Sequence, residues 1–197
     1  MKRIAYFLLI VVLLALAACS SGESEKQGLI PPEGPSNSSL AGAADTAPAA
    51  IATVPPLCSG AQNTNTASFA TEVIRLVNVE RSKAGLGALT SNTALTQAAQ
   101  KHSIDMGCNF FLSHTGSDGS SPFDRMEDFG YYYYWAGENV AAGYPTPADV
   151  VTGWMNSQAH RDNILYPTFV DIGIGYVYNP GDTTGFKHYW TMTLGEE

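Results

Sequence analysis

A chain of 197 residues that is 45% hydrophobic, 11% aromatic and 14% charged holds enough apolar material for one core of ordinary domain size. Its glycines are dispersed and only one long apolar run occurs, which excludes collagen, a coiled coil and a multi-span membrane protein. The formal charge of −8, deepening to −10 when Lys2 and Arg3 leave with a leader, repels phosphate backbones and argues against a nucleic-acid partner.

Residues 1–18 read as a secretion signal: Lys2 and Arg3, an apolar run from Ile4 to Leu16, then Ala17 and Ala18. The run rises only about 20 Å as a helix, short of the roughly 30 Å hydrocarbon core. Leu16-Ala17-Ala18-Cys19 resembles the lipobox of bacterial lipoproteins. That resemblance implies cleavage before Cys19 and a lipid on the new N-terminus, tying the chain to a membrane; plain secretion is the alternative. An exported chain meets an oxidising environment. With Cys19 lipidated, Cys58 and Cys108 remain as an even pair, expected to form a disulfide, with two free thiols as the alternative.

Ser20 to Leu57 contains no Phe, Tyr or Trp and is rich in Ala, Ser, Pro and Gly. Such a segment buries too little apolar area to offset its ordering entropy. Residues 19–57 therefore read as a lipid-anchored tether with a reach of roughly 30–40 Å, and 58–197 as the folded domain.

Four helices come next. Phe69, Val73, Leu76, Val77 and Glu80 fall at helical spacing before Gly85 and Gly87. Asn92 caps a second helix in which Leu95, Ala99, His102 and Met106 share a face before Gly107. Ser121-Pro122-Phe123-Asp124 and Thr146-Pro147-Ala148-Asp149 are capped starts with Pro at the first helical position, the latter leading into Val150, Val151, Trp154 and Met155. Strands follow: Asp171 to Tyr178 alternates, Asn179-Pro180-Gly181-Asp182 is turn chemistry, and Phe186 to Leu194 returns. Glu138 to Tyr144 reads as a short third strand. The pattern predicts an α+β arrangement around an antiparallel sheet.

Imidazole is the commonest metal ligand and acid–base group near neutral pH, so the four histidines matter. His102 lies on an apolar helix face and reads as a hydrogen-bonded core residue. His188 alternates with Trp190, Met192 and Leu194 and reads as structural. His114 sits in the polar loop Leu112-Ser113-His114-Thr115-Gly116, where a scaffold presents functional groups. Glu138 enters an apolar strand and requires a specific partner, because an unpaired buried charge is expensive. His160 follows the fourth helix in Ser157-Gln158-Ala159-His160-Arg161. A network of loop hydrogen bonds is the bland alternative for all three, whose separations match no local metal motif.

His114-Thr115-Gly116, Gly137-Glu138-Asn139-Val140-Ala141, Gly153-Trp154-Met155-Asn156-Ser157 with His160-Arg161 and Asn163-Ile164-Leu165, and Tyr189-Trp190-Thr191 occur in one order. Together, over roughly Ser68 to Gly195, they resemble the CAP superfamily of cysteine-rich secretory, antigen 5 and pathogenesis-related 1 proteins (SCP domains), in its bacterial branch. The resemblance implies a three-layer α-β-α sandwich with a central antiparallel sheet and a solvent-accessible cleft, whose His and Glu side chains can bind a divalent metal, often zinc. By that match His114 and Glu138 occupy the family's first His and first Glu positions. The second Glu position falls on Ser157, with His160 three residues on. The second His position falls on Tyr189.

His114, Glu138 and His160 would make two imidazoles and one carboxylate, a set that suits zinc with an open fourth position. Equally, Glu138 can orient a histidine without any metal. A Ser157–His160–Glu138 hydrolase can be drawn, although Ser157 lacks the G-x-S-x-G elbow. The block Tyr131-Tyr132-Tyr133-Tyr134-Trp135 offers rings that stack on sugars or lipids, or that pack a loop. Three functions follow. The first is an envelope-anchored, exported binding module for an apolar ligand, a protein or a cell-wall component, in a cleft around His114, Glu138, His160, Ser157 and Tyr189. The second is a metal-assisted hydrolase at the same cluster. The third is a structural surface protein.

Overall fold

The strand pair that the alternation marks carries the architecture. In the computed structural model, which describes residues 52–197, β3 (Asp171–Tyr178) and β4 (His188–Glu196) pair antiparallel with Ile172 opposite Leu194 and Ile174 opposite Met192. The turn between them is longer than the sequence suggests. Asp182 accepts the amides of Thr184 and Lys187, and Lys187 is left-handed at φ 60°, so β4 begins at His188 and Phe186 stays outside it, exposed. The third strand, β2 (Trp135–Ala142), lies antiparallel on the other side of β4, with Glu138 opposite Thr193. A two-residue strand not foreseen from sequence, β1 (Thr90–Ser91), adds to β3 in parallel. The order is β1-β3-β4-β2, antiparallel except at that short edge.

Helices cover both faces. On one side α1 (Thr66–Lys83) and α4 (Pro147–Asn156) join the sheet through Val73, Val77, Val150, Trp154, Ile172, Ile174, Trp190 and Leu194, all essentially inaccessible to water. On the other, α2 (Thr93–Asn109) rides over β3 and β4. Gly173 and Gly175 make this possible: a Cβ at either would strike the backbone of Leu95 or Ala99, so the apolar-versus-glycine alternation of β3 separates a packed face from a docking face. Gly107 has the same purpose inside α2, where a Cβ would press against Val177 at 3.0 Å. The helix therefore runs past Gly107 to Asn109 and ends at Phe110, left-handed at φ 58°. The three layers α-β-α match the expected sandwich.

Both Pro-started helices form with side-chain caps. Ser121 and Asp124 exchange hydrogen bonds as a capping box on α3 (Pro122–Asp128), and Thr146 accepts from the Asp149 amide on α4. Ser157 ends α4 and begins a further helix, α5 (Gln158–Ile164), a stretch that in the sequence reads only as the tail of α4. Arg81 of α1 is 1% exposed and donates to the carbonyls of Gly87, Ile164, Tyr166 and Phe169, fastening three loops under the sheet.

Cys58 and Cys108 are joined, which ties the N-terminal segment to the end of α2. Residues 52–57, which composition assigns to the tether, lie on the domain: the Ala52 amide donates to Asp128 O, and Val54 packs beside Met126 and Phe129. The leader and Cys19 lie outside the described residues. Among the described residues no helix is long and apolar enough to cross a membrane.

Candidate functional site

Strand alternation turns Glu138 toward the α2–α3 layer with Ala136 and Val140, while Asn139 faces α5. The Glu138 carboxylate is fully shielded from water, and both its oxygens are occupied. Oε1 accepts from His114 Nδ1 at 2.8 Å and Oε2 from Arg125 Nη2 at 2.8 Å. The specific partner that a buried charge demands is therefore double. Arg125 comes from α3, and its guanidinium also donates to the carbonyls of His114 and Ser120, each at 2.9 Å. One cation thus neutralises Glu138 and clamps both ends of the loop that carries His114.

The loop has two more anchors. His102 Nε2 meets the Ser113 carbonyl at 2.7 Å, and the Asp105 carboxylate accepts from the amide and hydroxyl of Ser117. His102 is the buried, hydrogen-bonded core residue expected of it, and it holds the residue next to His114. His188 lies on the α1 face, its Nδ1 2.9 Å from the Tyr176 hydroxyl.

Electrostatics fix the state of the cluster. Burial alone would raise the Glu138 carboxyl, but the His114 hydrogen bond and the Arg125 guanidinium outweigh it and hold it below the usual carboxylate range. Glu138 is thus an ionised acceptor, so His114 Nδ1 carries the hydrogen and Nε2 is the ring atom left over. That ring is 21% exposed and Nε2 has no protein partner. Burial, and then the charge of His114, lower His160 below the ordinary histidine range and keep it neutral. The two imidazoles are therefore near enough to sense one another. His160 is half-buried and positioned by its backbone, whose carbonyl accepts from Asn139 Nδ2 at 3.0 Å. Asn163 braces the same edge by donating to Glu138 O and Asn139 Oδ1.

Other sequence-derived members stand apart. Tyr189 is completely buried between Met106 and Val140, and its hydroxyl donates to Asp182. It pairs with Ala142, four residues along β2 from Glu138, or roughly 13 Å away. It therefore offers no surface to a ligand. Ser157 is half-buried and its hydroxyl caps nothing. The Ser157–His160–Glu138 relay has neither of its hydrogen bonds, because Glu138 is engaged with His114 and Arg125. Sequence reading missed Arg125, although the chain has few cations and a buried Glu138 called for one.

As a zinc holder the cluster falls short of three ligands. Glu138 would have to give up Arg125 or His114, leaving only His114 Nε2 and the His160 ring. Among the described residues no group of three His, Cys, Asp or Glu is placed to hold a metal ion. The geometry is that of a carboxylate orienting a histidine, the metal-free alternative that the residue types also allow.

The family model described as CAP, the cysteine-rich secretory protein family, matches residues 74–194, more than half of the chain. The uncharacterized protein YkwD of Bacillus subtilis (strain 168) is 44% identical over 110 residues, spanning 56% of this chain and 43% of that protein. The uncharacterized membrane protein YlbC of the same organism is 35% identical over 104 residues, spanning 53% and 30%. The chain thus spans less than half the length of these relatives. Among solved structures, an extracellular SCP-domain protein from Bacillus anthracis superposes with a TM-score of 0.59 at 26% identity, covering 66% of this chain and 41% of that one. An outer surface protein from Borrelia burgdorferi superposes with a TM-score of 0.61 at 20% identity, covering 70% and 97%, a likeness of fold alone.

Proposed function

The chain belongs to the cysteine-rich secretory protein (CAP) family, and from that premise we propose that it is an exported binding module holding a polar envelope component at its His114–His160 face. One observation carries this reading. A buried Arg125–Glu138 pair fixes the His114 tautomer and leaves its outer nitrogen without a protein partner beside a second, neutral imidazole. Such a face is preorganised to hydrogen-bond carboxylate or hydroxyl groups of a protein or wall polymer. It holds no hydrogen-bonded nucleophile, which favours recognition over hydrolysis. The extracellular SCP-domain protein of Bacillus anthracis supports an exported location, and the Leu16–Cys19 lipobox supports attachment to a membrane through lipid.

The test is co-sedimentation of the purified chain with isolated cell-wall sacculi and with envelope proteins. His114→Ala and His160→Ala should each release the protein from its target while its melting temperature stays within a few degrees. Retention that neither variant changes would overturn the assignment of the face. For the anchor, Cys19→Ala should move the protein from the membrane to the soluble fraction; continued membrane association would refute lipidation at that residue.

A further inference from the structure

Behind the Arg125–Glu138 pair, facing away from the His114–His160 surface, α2 and residues 55–58 enclose a cavity of about 490 Å³, within the usual size of small-molecule sites. Pro55, Leu57, Ile104 and the Cys58–Cys108 disulfide make its wall largely apolar, and the His102 ring forms part of that wall. His102 also holds the only buried side-chain nitrogen or oxygen among the described residues that has no hydrogen-bond partner, its Nδ1. Orphaned buried polar atoms are rare and call for a reason.

Its chemistry is specified. Nε2 faces the Ser113 carbonyl at 2.7 Å, and a carbonyl only accepts, so Nε2 carries the hydrogen and Nδ1 is a bare lone pair. Whatever completes it must donate. Anionic head groups are disfavoured on three counts. An acceptor would face an acceptor. The cavity rim carries Asp105 and Asp118, with Lys101 drawn to Asp118 at 3.6 Å and to Asp128 at 3.4 Å. Arg125, the remaining cation, already donates to Ser120, His114 and Glu138.

We infer that this cavity binds a small, uncharged amphiphile whose apolar body lies against Leu57, Ile104 and the disulfide and whose hydroxyl donates to His102 Nδ1. Less than 1 Å² of that nitrogen is accessible in the free chain, so binding includes the side-chain adjustment common on complex formation. The inference does not depend on the function proposed for the His114–His160 face, and failure of either leaves the other standing.

The experiment titrates the full chain, in detergent-free buffer, with 1-octanol and separately with octanoate, following the histidine ring nitrogens by ¹⁵N NMR. 1-Octanol should move His102 Nδ1 upfield, saturably, and show contacts from its methylenes to the Ile104 methyls. Octanoate should bind at least about tenfold more weakly, since a lost hydrogen bond at a buried acceptor is worth that factor. Leu57→Trp, which fills the cavity from a half-buried position, should abolish the 1-octanol response; should that variant fail to fold, the wild-type octanol–octanoate contrast decides alone. Equal binding of the two probes, an unmoved Nδ1, or a free-chain Nδ1 already shifted by a bound water would each overturn the inference.

Discussion

Glu138 sits where a carboxylate is expensive, and only its two donors make the position tenable. Removing its charge strands Arg125, so Glu138→Gln should cost about 3–5 kcal/mol at pH 7 in denaturant unfolding. The pH dependence has a definite sign. A folded-state pKa held below the unfolded value contributes stability that is present above the unfolded pKa and lost as pH falls through the folded one. The gap between wild type and Glu138→Gln should therefore narrow toward pH 3; a constant gap would show that the carboxylate is not the anchor described. A second effect appears at milder pH. Burial lowers His102, His160 and His188, favouring their neutral forms in the folded chain. The unfolded chain then binds more protons as pH drops through the ordinary histidine range, so the melting temperature should begin to fall near pH 6.5, before carboxylates titrate. Replacing His160 with Gln should flatten part of that slope, and an unchanged slope would remove His160 from the account.

Among elements, the contact between α2 and β3 depends most on single residues. Two glycines on one strand face let a helix backbone come against the sheet, and Gly175→Ala places a methyl group on the Ala99 carbonyl. The helix cannot yield there without drawing its apolar residues out, so a loss of about 3 kcal/mol is expected by thermal melting; a change under half that would mean the layer is looser than drawn. What was legible in the sequence follows the same logic. Asn92, Ser121-Pro122 and Thr146-Pro147 announce helices because their signals are local: a side chain bonding an amide two or three residues ahead. The end of α2 was not legible, because Gly107 answers to Val177, seventy residues away. Nor was β1, whose pairing exists only through β3. At the site, His114, Glu138 and His160 were found from loop and strand context, whereas Arg125 reads locally as one more surface cation on a short helix. Its burial depends on β2 folding across it.

For the molecule as a whole, the Cys58–Cys108 bond decides how firmly the N-terminal segment belongs to the domain. It closes a loop containing α1, β1 and most of α2, with a sequence separation of 50. In the chain-entropy picture this constrains the unfolded state by about 4 kcal/mol. Beyond the bond, Ala52 and Val54 hold residues 52–57 by one backbone hydrogen bond and modest apolar contact. Breaking the disulfide should therefore act in two stages that different probes separate. Global unfolding of Cys58→Ala/Cys108→Ala should shift by about 3–4 kcal/mol. Amide exchange at Ala52 should accelerate well beyond that global change, as the segment opens locally. The His114 ring resonances should stay in place, because Arg125, Asp105 and His102 hold that loop without help from residues 52–58. If instead the His114 signals broaden with the segment, the N-terminal strap and the polar face form one cooperative unit. A tether pulled from the membrane side would then loosen the face directly, and the independence of the cavity from that face would fail with it.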